Sequence, residues 1–337
     1  MRVFFQLSGE HSTLPKAEAL AVLEASSVDF KVLLSLDQVL VVEADAGNID
    51  GIHERLAMSH GICEFYGACR PALEELIEIA RGIDLSGSFA VRVKRIKDYF
   101  GEVSTMELES GIGGLLTKKG YKVDLENPEN IILGILSSEF VLGRVLYEVD
   151  RSQYEARRPH RRPYFRPGVM LPRICRAIVN LTRVKKGEKF IDPFCGTGGF
   201  LIEADLVGAK VYGCDVDKEV LEGCKVNLQH HGLTDYHLEA VDARELKEVY
   251  PEAFDALAAD LPYGISSSTH GSKLEELCSQ SMESFFEILK PGGYACVVAP
   301  SQVPLKDIAA AAGFNVVEEH LERIHRSLTR RILVLQK

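Results

Sequence analysis

From residue 189 onward, short apolar stretches alternate with helical ones, and that alternation leaves the chain few architectures. Residues 189–191, 210–214, 236–240, 254–259 and 293–299 read as strands, while 199–207, 218–229 and 274–289 carry apolar residues at helical spacing. Strand, helix, strand in repetition is the signature of a doubly wound parallel sheet, an α/β Rossmann-like arrangement. Residues 168–181 read as a helix preceding the first strand, and 314–323 with 329–335 as a closing pair, expected antiparallel at one sheet edge.

The first half is patterned differently. Residues 32–36 and 39–43 flank the polar pair Asp37-Gln38 as a hairpin beside a helix at 16–25, which predicts a small α+β domain over 1–69. Helices at 73–80 and 107–119 with strands at 88–96, 130–137 and 141–148 predict a second one over 70–150. Pro159, Pro163, Pro167 and Pro172 then stand among arginines, so 151–166 is expected to be an extended linker, with the α/β domain over 167–337.

Composition excludes several classes. The chain of 337 residues is 46% hydrophobic and 26% charged, which disfavours disorder, collagen and coiled coil. No stretch approaches the ~18 apolar residues that cross a bilayer, so a soluble, cytoplasmic protein is expected. The eight cysteines form no C-x-x-C pair, and Cys63 and Cys69 are the closest, which fits neither a common zinc site nor a dense disulfide scaffold. Free thiols and no metal site are expected, and His230-His231, at a helix end, read as solvated.

Net charge is −10, yet it is unevenly spread. Residues 1–150 carry 14 Lys+Arg against 24 Asp+Glu, 151–186 carry 11 against 1, and 187–337 carry 14 against 24. A cationic joint between two anionic halves suits a phosphate backbone, or else neutralises its acidic neighbours.

In an open parallel sheet the first strand-to-helix turn is the usual cofactor seat. Here that turn is Asp192-Pro193-Phe194-Cys195-Gly196-Thr197-Gly198-Gly199-Phe200. A dinucleotide fingerprint would place glycine or alanine where Leu201 stands, so a nicotinamide ligand is disfavoured. What remains is an acid at a strand end followed by glycines that admit close approach of a ligand. Asp192 suits a cationic group, Asp215 the hydroxyls of a ribose, and Asp242 an adenine amine with Ala243 leaving room for the ring. Any one of these aspartates could equally cap the next helix, whereas three in register, each after its own strand, favour a ligand.

Asp260-Leu261-Pro262-Tyr263 ends the strand at 254–259 and precedes a serine-rich loop reaching Ser272. An exocyclic amine is a poor nucleophile because its lone pair is delocalised into the ring. Asp260 and the Leu261 carbonyl could accept its two protons, Pro262 would keep that carbonyl aimed, and Tyr263 would stack on an extruded base. The same tetrapeptide could also be an ordinary strand exit with a buried tyrosine.

The series from 166 to 337 resembles the Rossmann-like S-adenosylmethionine methyltransferases, with D-P-F-C-G-T-G close to the first motif of their RNA-modifying branch. D-L-P-Y resembles the (N/D)-P-P-Y motif of amino-methyltransferases, with Leu261 in place of a proline. That class also contains enzymes acting on DNA adenine and on protein glutamine. Gly111-Ile112-Gly113-Gly114 through Val123-Asp124-Leu125-Glu126-Asn127-Pro128-Glu129 resembles the end of a THUMP domain, an RNA-binding module. In this order the parts resemble the archaeal tRNA guanine-N2-methyltransferases acting at position 10, with a sister group acting at position 6.

The resemblance implies S-adenosyl-L-methionine as cofactor and tRNA as partner, its acceptor end on THUMP and its target guanine in the catalytic pocket of a monomer. It implies donor contacts from Asp192, Phe194, Cys195, Gly196, Thr197, Gly198, Asp215, Val216, Asp242, Ala243 and Asp260, with Tyr164 and Phe165 closing over the adenosine, and catalysis at Asp260, Leu261, Pro262 and Tyr263. Lys94, Arg95, Lys118, Lys119, Lys122 and Arg144, with Arg157, Arg158, Arg161 and Arg162 of the linker, are the expected phosphate contacts.

Overall fold

The computed structural model describes residues 1–337 except 46, 48, 251, 252, 264–267 and 327, together with the side chains of 73 and 268–273. The chain divides into two compact units, Met1–Ala19 with Ser27–Asp150 and Leu20–Ser26 with Arg151–Lys337.

The first half runs β1 (Arg2–Leu7), α1 (Leu14–Ala25), β2 (Phe30–Leu36), β3 (Val39–Ala44), α2 (Ile52–Arg55), β4 (Ser59–Cys69), α3 (Leu73–Arg81), β5 (Phe89–Arg95), α4 (Thr105–Lys118), β6 (Asn130–Leu136) and β7 (Phe140–Glu148). Its seven strands form one sheet in the order β2-β3-β1-β4-β7-β6-β5. β4 joins the two α+β patterns, pairing antiparallel with β1 on one side and β7 on the other. Sequence reading missed it because Gly61 and Gly67 interrupt its alternation. Close strand approach requires a glycine at the facing position, since a Cβ on Gly143 would stand 2.0 Å from the Glu64 carbonyl oxygen. β6 shows the two-residue period: Ile132 and Leu136 pack with Phe89, Ile112 and Leu116, while Leu133 and Ile135 pack with Phe4 and Val41 on the other face.

The second half runs α5 (Gln153–Ala156), α6 (Pro172–Leu181), β8 (Lys189–Asp192), α7 (Gly199–Leu206), β9 (Lys210–Cys214), α8 (Lys218–His230), β10 (Tyr236–Glu239), α9 (Leu246–Val249), β11 (Phe254–Asp260), α10 (Ser268–Ile288), β12 (Leu289–Pro300), α11 (Leu305–Ala311), β13 (Asn315–His325) and β14 (Leu328–Gln336). Strand order is β10-β9-β8-β11-β12-β14-β13, with β13 and β14 antiparallel as expected. Chain order reverses between β8 and β11, the switch point where such sheets open a ligand crevice.

Two local expectations change. The linker is only partly extended, since α5 and a single 3-10 turn at Pro159–Arg161 fold within it. α6 starts at Pro172 rather than 168, because Gly168 is left-handed at φ 87° and Leu171, before proline, is extended. Of the serine-rich loop expected to reach Ser272, residues 264–267 lie outside the described residues, and 268–272 belong to α10, which starts at Ser268 rather than 274.

Candidate active site

At the carboxyl ends of β8, β9 and β11 lies a cleft of about 420 Å³. β8 delivers Asp192, and the turn behind it is fixed by its own backbone: the Phe194 amide donates to Asp192 Oδ1 at 3.1 Å and the Gly198 amide to the Cys195 carbonyl at 2.8 Å. β9 delivers Asp215, whose Oδ2 accepts from the Gly196 amide at 3.1 Å. Gly198 is left-handed at φ 86°, and a Cβ there would also strike Cys224 Sγ at 2.9 Å, so the turn closes onto α8 with glycine alone.

Opposite the turn, β11 ends on Asp260. The Tyr263 hydroxyl donates to Asp260 Oδ1 at 2.5 Å and accepts from Arg330 Nε, on β14, at 2.8 Å. Leu261 is buried in the core, and its amide donates to the Val298 carbonyl at 2.8 Å. A proline could not donate that bond, so the departure from (N/D)-P-P-Y exchanges ring stiffness for anchorage to β12.

Four aspartates therefore line one cleft, Asp192, Asp215 and Asp260 together with Asp217, which pairs with Arg166 at 3.3 Å. Burial pushes Asp192 well above the ordinary carboxylate range, against the Phe194 amide and together with the charges of Asp260 and Asp215. Asp260 is pushed up to about 6, first by burial, with Tyr263 and Arg330 pulling it down and Glu322 pushing it up. Such a cluster is costly until something positively charged enters it. The buried Thr197 hydroxyl, which also lines the cleft, has no protein partner.

Among the other expected donor residues, Phe194, Cys195, Gly196 and Thr197 line the cleft, whereas Gly198, Val216, Asp242 and Ala243 are not among its lining residues. Val216 is 68% exposed, Ala243 is buried in the core, and Asp242 is held down by hydrogen bonding to Arg244. Tyr164 packs against Gly223 of α8, its amide donating to Asn227 Oδ1 at 3.0 Å, and Phe165 is half exposed; it is Arg166, Met170 and Cys175 that line the cleft beside them. None of these three was expected from the sequence, although Arg166 directly follows the aromatic pair that was, and neither was Arg330, which lies on a strand far along the chain.

The basic residues divide in two. Arg157 and Arg162 are buried rather than presented to phosphate. Arg157 pairs with Glu203 of α7 at 2.8 Å, and Arg176 of α6 reaches the same carboxylate at 2.9 Å. Arg162 donates to the Arg157 carbonyl at 3.2 Å. Arg158 pairs with Glu155, and Arg161 is exposed. In the first unit, Arg95 donates to the carbonyls of Tyr99, Phe100 and Val103, Lys119 to those of Ala80, Arg81 and Ile83, and Arg144 pairs with Glu64. Lys94 reaches Gln6 at 3.4 Å, whereas Lys118 and Lys122 are exposed. His231, expected to be solvated, is instead pushed down to about 4, mainly by burial. All eight cysteines are free, and burial lifts thiols such as Cys63 up to about 12, which removes them as nucleophiles at neutral pH. Among the described residues no cluster could hold a metal, and no helix is long and apolar enough to cross a membrane.

Residues 159–332 match the family described as RMKL-like, methyltransferase domain, and residues 64–139 match the THUMP domain. The chain is 40% identical to the tRNA (guanine(10)-N2)-dimethyltransferase of Methanothermobacter thermautotrophicus over the full length of both proteins. It is 34% identical to the protein of that name from Pyrococcus abyssi, covering 93% of this chain and 96% of the relative. In fold it is similar to the crystal structure of TrmN from Thermus thermophilus, with TM-score 0.56 and 21% identity over the whole of both chains. An N-terminal THUMP domain followed by a Rossmann-like methyltransferase domain, with identity of this level along nearly the whole chain, places the protein in the tRNA (guanine(10)-N2)-dimethyltransferase family.

Proposed function

We propose that this protein methylates the exocyclic N2 amine of guanine 10 in tRNA, using S-adenosyl-L-methionine as donor. The observation that carries the reading is the facing of Asp192 and Asp215 by the Asp260–Tyr263 tetrapeptide across one cleft at the switch point of the sheet. The donor set fits the cofactor: S-adenosylmethionine carries an ammonium and a sulfonium, and buried Asp192 is raised further by Asp260 and Asp215 with no cation acting to lower it. When bound it supplies an electrophilic methyl with its leaving group attached, so no metal is required.

Asp192 holds the ammonium end and Asp215 the ribose hydroxyls, while the Gly196–Gly198 backbone admits close approach. Asp260 and the Leu261 carbonyl accept the amine protons and turn the nitrogen lone pair toward the cleft, and Tyr263 stacks on the base. With a pKa pushed up to about 6, Asp260 is largely ionised at neutral pH and accepts the proton released as the nitrogen is alkylated. A second methylation proceeds with one amine proton left to hold, which the same acceptors can still engage. Met170 and Cys175 add apolar surface to the lining of the same cleft.

The THUMP domain grips the acceptor end of the tRNA, with Lys118 and Lys122 as phosphate contacts, joined by Arg158 and Arg161 of the linker. The enzyme acts as a cytoplasmic monomer. Mass spectrometry of nucleosides from a tRNA transcript incubated with protein and donor is expected to show N2-methylated and N2,N2-dimethylated guanosine. Both should vanish when guanine 10 alone is replaced; methylation that persists in that transcript, or none in the original, would reject the assignment.

A further inference from the structure

The tetrapeptide is not self-contained. Arg330 of β14 is 7% exposed, donates from Nε to the Tyr263 hydroxyl at 2.8 Å, and stands 5.5 Å from the centroid of the Tyr263 ring. Its strand pairs antiparallel with β13, which brings Glu322 opposite it, with Nη1 3.6 Å from Glu322 Oε2. The charged and titratable groups facing Asp260 are thus Tyr263 on its own segment, Arg330 and Glu322 from the sheet edge, and Asp192 and Cys175 across the cleft.

We infer that Arg330 is a positioning residue for the proposed methyl transfer: through the Tyr263 hydroxyl it fixes the tyrosine and keeps the Asp260 carboxylate ionised, with Glu322 moderating that effect. This rests on the function proposed above and adds a group to it. The chemistry requires such a group. Burial and the charge of Glu322 push Asp260 toward its protonated form, and a protonated carboxyl can neither orient the amine as an acceptor nor take its proton. A guanidinium is suited to the task because it stays charged even when buried and its Nε–H reaches the hydroxyl while the fork pairs elsewhere. Tyr263 acts as the spacer: its oxygen accepts from Arg330, which polarises the O–H that it donates to Asp260.

Removal of the cation should raise the Asp260 pKa by roughly one unit, the lower end of what a nearby opposite charge supplies. For Arg330→Met, kcat/KM for tRNA at saturating donor should then show its acid limb displaced upward by about that amount. On the limb this is a roughly tenfold loss beyond whatever is lost on the alkaline plateau. Arg330→Lys should keep the limb near its original place while lowering the plateau, and Glu322→Gln should move it downward. A purely structural arginine would lower all pH values alike. Carbon NMR titration of the Asp260 carboxyl in the donor-free protein gives the same reading without turnover. If that carboxyl is unmoved in Arg330→Met, or moves upward in Glu322→Gln, the coupling is wrong whatever the activity. If it moves while the unaltered protein methylates no tRNA, the proposed function fails and the coupling stands.

Discussion

The two ends of the cleft are held by different means. At the donor end Asp192 and Asp215 are braced by main-chain amides of Phe194 and Gly196, a few residues away or on the neighbouring turn. At the acceptor end Asp260 is braced by side chains, Tyr263 next to it and Arg330 on another strand, with Glu322 beyond. Backbone amides do not titrate near neutral pH, so the bracing of the donor turn is independent of pH even though burial raises Asp192 itself. A side-chain network can be retuned one residue at a time, which suits the end proposed to take up a proton.

Asp260→Ala cuts the acceptor end alone. Methyl transfer should fall about 10³-fold, or ~4 kcal/mol, while donor binding by calorimetry stays close to that of the unaltered protein. Near-normal turnover would remove Asp260 from the reaction, and a parallel loss of donor affinity would mean the ends are not separable.

Glu203→Ala attacks the donor end from behind. Glu203 sits on the helix that continues the donor turn and is fully buried between Arg157 and Arg176. Its loss leaves two buried guanidinium groups uncompensated, at a cost of about 3 kcal/mol of stability. Urea denaturation should show this, with donor affinity lowered in the folded fraction and the pH limb of turnover unmoved. A shifted limb would contradict the distinction drawn here.

The smallest effect sharpens the acceptor end. Because burial raises the Asp260 pKa from 3.8 to about 6 in the fold, the folded state binds a proton that the unfolded chain releases between those values. Stability therefore declines as pH rises from about 4 to about 6, and above that the penalty is constant. Asp260→Asn, which keeps an acceptor without the charge, should be more stable by on the order of 2 kcal/mol at pH 8 and indistinguishable at pH 4. Equal stability at both pH values would mean the carboxyl is not strained in the ligand-free protein.

Much of the catalytic half was readable before any coordinates. Strand 210–214 matches β9 residue for residue and the helix at 218–229 matches α8 to within one, because parallel strands buried on both faces are continuous apolar runs between helical periods. β1 and β4 were not read; the alternation of β4 is broken by Gly61, which lies against the Tyr147 carbonyl, and by Gly67, which makes room for the Ile79 side chain. The linker arginines looked alike in sequence, and only packing separated Arg157 and Arg162, turned inward, from Arg161, turned out.

By itself the sequence determined the α/β alternation, the glycine turn after β8 and the tetrapeptide after β11, because each depends on residues adjacent in the chain. Tertiary structure decided which carboxylates share the cleft, that Asp242 is not among its lining and that Arg330 reaches Tyr263. Those are contacts between strands far apart in sequence, and no spacing along the chain encodes the register that brings them together.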